Sequence, residues 1–201
     1  MAQSSALDLQ QAEEAQVRLG GFGGQGIILA GYILGRAATV FAGRNAVMTQ
    51  SYGPESRGGA CMAEVVISDG EIAYPRVTAP DVVVMMSQEA YGKYGVVRPE
   101  NCFLIVDEDL VKLNEADEKS EAVLKAPATR LAEELGRRII SNIVMLGVIS
   151  AATNVVPIEV MREAVAASVP PGTEELNLKG VEAGYEYARK AMAESGGRRE
   201  A

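Results

Sequence analysis

The decisive stretch is Ala15-Gln16-Val17-Arg18-Leu19-Gly20-Gly21-Phe22-Gly23-Gly24-Gln25-Gly26-Ile27. Its first five residues, Ala15–Leu19, read as a short strand, and an apolar run from Ile27 to Val40 reads as a helix. A glycine cluster joins them. Strand, glycine turn and helix together open a βαβ unit. Gly21, Gly23 and Gly26 have the spacing Gly-x-Gly-x-x-Gly, which lets backbone amides and a helix N-terminus approach a phosphate. Two familiar readings of that spacing fail. A dinucleotide site needs an acid about 20 residues on to hold ribose hydroxyls, and no Asp or Glu lies between Glu14 and Glu55. A Walker-type loop needs Lys-Ser/Thr after Gly26, where Ile27-Ile28 stands instead. Close packing of helix on strand, contact with a phosphate-bearing ligand, and contact with a partner chain stay open.

Downstream, Asn45–Thr49 reads as the next strand. A second irregular loop follows, Gln50-Ser51-Tyr52-Gly53-Pro54-Glu55-Ser56-Arg57-Gly58-Gly59. Small neighbours leave Arg57 open to a planar anion or a carboxylate. An ion pair with Glu55 or Glu64 is the internal alternative. Cys61–Ser68 and Ile72–Tyr74 flank Asp69-Gly70, which predicts an antiparallel hairpin there. Val82–Met86 and Cys102–Val106 are continuous apolar runs, as in strands buried on both faces. Val123–Ala126 is a shorter strand. Helices are expected at Ser87–Val97, Thr129–Leu135, Asn142–Thr153, Ile158–Val169 and Leu178–Met192. Asn142 reads as a helix-start residue. Alternating strands and helices predict an α/β class. The expected architecture is a three-layer α/β/α, Rossmann-like domain with a mainly parallel sheet and an antiparallel hairpin. Residues 1–15 are expected as a frayed or helical extension, 16–192 as one domain, and 193–201 as a disordered tail.

Composition removes several functions. The formal net charge of the 201-residue chain is −8, so nucleic-acid binding has no electrostatic support. The chain has no histidine, which excludes Ser–His–Asp and Cys–His catalysis within it. Cys61 and Cys102 are its two cysteines, too few for an iron–sulfur cluster that takes four. They read as reduced thiols in apolar strands. No apolar run reaches the roughly 18–20 residues of a membrane span, and the first sixteen residues do not read as a signal peptide. A cytoplasmic protein is expected.

The two loops together are far more specific than either alone. Gly21–Ile27 is similar to the G-x-G-G-Q-G-[IVL] opening of gamma subunits of 2-oxoacid:ferredoxin oxidoreductases. Ser51–Gly59 resembles the second signature of that family, S-Y-G-P-E-x-R-G-G. Later segments follow the same pattern: Val65–Ser68, Ile72–Pro75, Pro80–Val82, Pro127–Thr129, Ala132–Gly136 and Asn142–Gly147. The resemblance covers residues 16–188. With Ser87-Gln88-Glu89-Ala90-Tyr91, the second loop looks most like the 2-oxoglutarate branch. Pyruvate and branched-chain enzymes are close alternatives.

The resemblance implies a subunit of an enzyme that oxidatively decarboxylates a 2-oxoacid to its acyl-coenzyme A and reduces ferredoxin. Thiamine diphosphate, its magnesium and the iron–sulfur clusters would belong to alpha, beta and optional delta partner subunits. Gly23, Gly24, Gln25, Gly26, Arg57, Gly58 and Gly59 would be interface or coenzyme A contacts. No catalytic or metal-binding residue is expected here, no activity from the chain alone, and no nucleic-acid or membrane partner. An isolated chain can also self-associate through the face meant for partners. A free-standing Rossmann-like nucleotide binder and a purely structural assembly subunit are the competing readings.

Overall fold

The computed structural model describes residues 7–52 and 59–197, with side chains to residue 194. Six strands form one sheet: β1 (Glu14–Phe22), β2 (Asn45–Tyr52), β3 (Ala60–Ser68), β4 (Val82–Met85), β5 (Phe103–Asp107) and β6 (Val123–Ala126). Seven helices accompany them: α1 (Ile27–Arg36), α2 (Gln88–Ala90), α3 (Glu115–Glu118), α4 (Ala128–Glu134), α5 (Ser141–Thr153), α6 (Ile158–Ala166) and α7 (Glu174–Gly197). Single π-helical turns extend α1 over Ala37–Phe41 and α2 over Tyr91–Gly95.

The strand order is β2-β3-β1-β4-β5-β6. Strands β1, β4, β5 and β6 run parallel; β3 is antiparallel to both β1 and β2. Val82, Val84, Ile105 and Leu124 point to one face, against α1 and α4–α7. Val83, Met85, Leu104 and Val106 point to the other, against Ala90, Tyr91 and Val111. The strands are therefore apolar throughout because both faces are covered, as their sequence predicts. The layers are unequal: α2, its π turn and the loop after β5 form the thin one.

The antiparallel hairpin exists, but not at Asp69-Gly70. It is β2–β3, and the second glycine loop lies between those strands. Strand β3 already pairs with β1 and β2 along its full length, so no edge remains for a strand at Ile72–Tyr74. Gly70 also lacks the positive φ a two-residue hairpin turn needs. Asp69-Gly70 instead ties three chain segments together. Arg44 Nε donates to Asp69 Oδ1 at 2.6 Å, Asp69 N donates to the Glu13 carbonyl, and Asn45 Nδ2 donates to the Gly70 carbonyl.

Of the N-terminal extension, Leu7–Glu13 is irregular, the non-helical one of the two expected alternatives, and Leu9 is buried in the main core. Helix α7 begins at Glu174, just beyond the Pro170-Pro171-Gly172 break, and continues through Glu194 to Gly197. Residues 193–197, expected in the tail, thus belong to the helix.

Candidate functional site

Strand β1 ends at Phe22, and the glycine loop turns directly into α1. Gln25 N donates to the Phe22 carbonyl at 3.0 Å, closing the turn. Gly26 sits at the helix N-cap with φ 73°, a left-handed conformation that favours glycine. A Cβ there would also lie 2.4 Å from Asn142 Nδ2. Asn142 Nδ2 donates to the Gly26 carbonyl at 3.0 Å, so α5 holds the loop from 116 residues away. Gln25 holds it from the other side. Its Oε1 accepts from Phe22 N at 2.6 Å, and its Nε2 donates to the Met86 carbonyl at 2.8 Å. Both ends of the Gln25 amide are engaged inside the chain, which makes it a brace between β1 and the end of β4.

The two sequence loops meet in space. Gly23 N donates to the Gly59 carbonyl at 3.2 Å, and Gly59 is buried at the start of β3. Gly23 and Gly24 are exposed; Gln25 and Gly26 are half-buried. Arg57 and Gly58 lie outside the described residues. The carboxylate of Glu64, one partner considered for Arg57, is taken by Arg18 at 2.9 Å. Among the described residues, the amides of Gly24, Gly26, Ile27, Ile28 and Leu29 have no acceptor. They form a cluster of free donors at the positive end of α1, which suits an anion.

A cleft surrounds this cluster at the C-terminal ends of β1, β4 and β5, where open parallel sheets place their ligands. One lobe, of about 520 Å³, is lined by Phe22, Gly24, Gln25, Ser87, Thr129 and Arg138, among others. A second, of about 440 Å³, shares Gly24 and Ile139 with it and runs between α5 and the segment entering α7. Among the described residues neither lobe has an Asp or Glu in its lining, although the chain is strongly acidic. Each carries an arginine, Arg137 in one and Arg138 in the other. Among the described residues Arg137 has no acidic partner, and Arg138 touches Glu133 only at 3.4 Å. Sequence reasoning missed both arginines, since nothing local marks them.

The walls are built by local side-chain straps. Ser87 Oγ accepts from Ala90 N and caps α2. Gln88 exchanges two hydrogen bonds with the backbone of Lys112, and Glu89 Oε1 accepts from Ala60 N. Asp107, at the end of β5, accepts from Thr129 N at 2.9 Å and Thr129 Oγ1 at 2.6 Å. Burial pushes the Asp107 carboxyl above its ordinary range, against the pull of these bonds. Asp107 therefore orients α4 and makes no contact with the cleft. Among the described residues no group of three or more His, Cys, Asp or Glu could hold a metal. Both cysteines are buried and free.

A sequence profile of pyruvate ferredoxin/flavodoxin oxidoreductases matches residues 16–187. The chain belongs to that family. Among its relatives within the family is the 2-oxoglutarate synthase subunit KorC of Methanocaldococcus jannaschii. It is 52% identical over 176 residues, covering 87% of this chain and 94% of the relative. The keto/oxoacid ferredoxin oxidoreductase gamma subunit of Geobacter sulfurreducens has the same fold, with TM-score 0.80 and 40% identity over 90% of this chain and 99% of that one. A 2-oxoglutarate:ferredoxin oxidoreductase from Magnetococcus marinus, solved with 2-oxoglutarate, coenzyme A and succinyl-CoA, shares the fold at TM-score 0.78 and 23% identity. The match takes in 90% of this chain and 32% of the Magnetococcus chain. In that protein the shared fold is one part of a longer polypeptide. The sheet order also departs from that of a dinucleotide enzyme. The neighbour of β1 is antiparallel β3, and Phe22 pairs with Ala60 at the beginning of β3. A dinucleotide fold would end a parallel, acid-bearing strand there.

Proposed function

We propose that this chain is the gamma subunit of a 2-oxoglutarate:ferredoxin oxidoreductase and supplies the coenzyme A side of its site. The relatives named above support the substrate. The acid-free cleft carries the ligand reading: five free amides at the N-terminus of α1 lie beside two arginines in a molecule of net charge −8. Coenzyme A brings a pyrophosphate and a 3′-phosphate, the kind of groups such a cleft attracts. Main-chain amides of Gly24 and Gly26 would meet the phosphates beside Gly23, whose own amide is held by Gly59, with Gln25 and Asn142 fixing the loop. Arg57, Gly58 and Gly59 would extend this surface from the second loop.

The reaction itself belongs to the assembled enzyme, with alpha, beta and optional delta subunits. Thiamine diphosphate, magnesium and the clusters sit on those partners, and ferredoxin accepts the electrons. This chain's two buried cysteines and its described carboxylates offer no place for a cluster. No helix among the described residues is long and apolar enough to cross a membrane, and the cytoplasm is the proposed location.

The test is a charge placed in the loop. Gly24 is exposed, and a Cβ there meets no atom within 4 Å, although its φ of 104° adds some strain. In the assembled complex, Gly24→Glu is expected to raise the KM for coenzyme A at least tenfold and leave the KM for 2-oxoglutarate unchanged. Unchanged values for both would remove coenzyme A from this chain.

A further inference from the structure

The lobe between α5 and the start of α7 has chemistry the phosphate reading does not use. Its walls are apolar: Leu29, Ile140, Ile143, Val169 and Leu176 all line it. Two asparagines also line it, and both are almost fully buried, Asn142 at 2% and Asn177 at 5% exposure. Each spends its amide nitrogen inside the chain. Asn142 Nδ2 donates to the Gly26 carbonyl at 3.0 Å. Asn177 Nδ2 donates to the Thr173 carbonyl at 2.8 Å and to Thr173 Oγ1 at 3.1 Å. These bonds fix which way each amide faces. Neither Oδ1 has a partner among the described residues, and neither is sealed off from the cavity. Both oxygens are open acceptors on the cavity wall, held in place by the bonds their amide nitrogens make. The lobe thus offers two preset acceptors among apolar walls, with Arg137 at its edge and no side-chain acid among the described residues.

We infer that this lobe is a purine subsite that reads the exocyclic amine of an adenine base through Asn142 Oδ1 and Asn177 Oδ1. The inference rests on the coenzyme A reading above and says which part of that ligand enters which lobe. An exocyclic amine carries two N–H donors on one planar atom, and a flat base suits apolar walls. Gly24 and Gly26 border the same lobe, so phosphates at the glycine loop and a base in the cavity are neighbours. A 6-oxopurine would present an oxygen to the same two oxygens, which repels instead of bonding. The pocket is therefore a specificity device: it selects a 6-aminopurine over a 6-oxopurine.

The experiment compares coenzyme A with its 6-oxopurine (inosine) analogue in the assembled complex, for wild type, Asn177→Ala and Gly24→Glu. The wild-type complex is expected to show a KM for the analogue about tenfold or more above that for coenzyme A, with similar kcat. Asn177→Ala is expected to bring the two KM values within about twofold of each other by raising that for coenzyme A. Equal KM values in the wild type would overturn the inference without any variant having to fold. Discrimination that survives Asn177→Ala undiminished would overturn it too, by placing the base elsewhere. Gly24→Glu separates the two levels. If it raises the KM for coenzyme A while base discrimination is absent, the phosphate reading stands and the purine subsite falls. If it changes nothing and base discrimination is absent as well, both fall.

Discussion

Gly26 carries three duties in one residue. Its φ of 73° starts α1, its carbonyl accepts from Ala30 N and from Asn142 Nδ2, and its missing side chain makes room for Asn142. Gly26→Ala must bear the left-handed strain and displace Asn142. It is expected to cost about 2–3 kcal/mol, measured by urea unfolding of the isolated chain. Cys102 makes a different prediction. Burial is the main cause that pushes its thiol up to about 11, so at pH 8 only about one molecule in a thousand is thiolate. Native chain should resist iodoacetamide at Cys102 and label fast once unfolded, as mass spectrometry of the peptide would show. At this scale the sequence was half legible. The glycine spacing pointed straight to the loop, because a run of glycines before an apolar helix has few other uses. Asn142, Asn177, Arg137 and Arg138 gave no such sign. Asn142 reads as a helix start, and only folding brings it to Gly26. Gln25 reads from sequence as an interface or coenzyme A contact; that its amide also braces the loop within the chain shows only in the fold.

Between elements, the tightest junction is α5 against α7. A Cβ on Gly147 would lie 2.0 Å from the Val181 carbonyl oxygen, and one on Gly184 would lie 1.9 Å from that of Val144. Two backbones touch here, so no rotamer can relieve an added methyl. Gly147→Ala or Gly184→Ala must push the helices apart and is expected to cost at least about 3 kcal/mol. Because α5 carries Asn142 and α7 carries Asn177, the same change should also weaken binding of coenzyme A. On the thin face, the Arg98–Asp117 pair at 2.5 Å ties α3 to the turn after α2, and Tyr91 Oη donates to the same carboxylate. Burial alone would raise the Asp117 pKa, but the bonds from Arg98 and Tyr91 win and lower it. A depressed carboxyl adds stability above its unfolded pKa and loses it as pH falls through the folded value. Thermal stability should therefore fall on acidification below the ordinary Asp range, and less so in Asp117→Asn, which already lacks the charge. Strand positions were legible from their apolar runs, since strands buried on both faces have little choice of residue. The Asp69-Gly70 hairpin was misplaced because local turn chemistry cannot see that β3 has both edges occupied.

For the molecule as a whole, fold class followed from alternation of strand and helix, and the family followed from two loops that the fold brings into contact through Gly23 and Gly59. What sequence order could not convey is that one cleft gathers free amides at α1, the arginines before α5 and preset acceptors on α5 and α7, with no acid among the described residues of its lining. That asymmetry, in a chain of net charge −8, is the basis for placing coenzyme A here and the chemistry on partner subunits. The most direct test is an anaerobic purification of the native complex through a tag on this chain, followed by viologen reduction with a panel of 2-oxoacids, with and without coenzyme A. The account predicts larger partner subunits in the purified material and reduction that requires both 2-oxoglutarate and coenzyme A. A chain that purifies alone, or a complex that prefers another 2-oxoacid or turns over without coenzyme A, would contradict it.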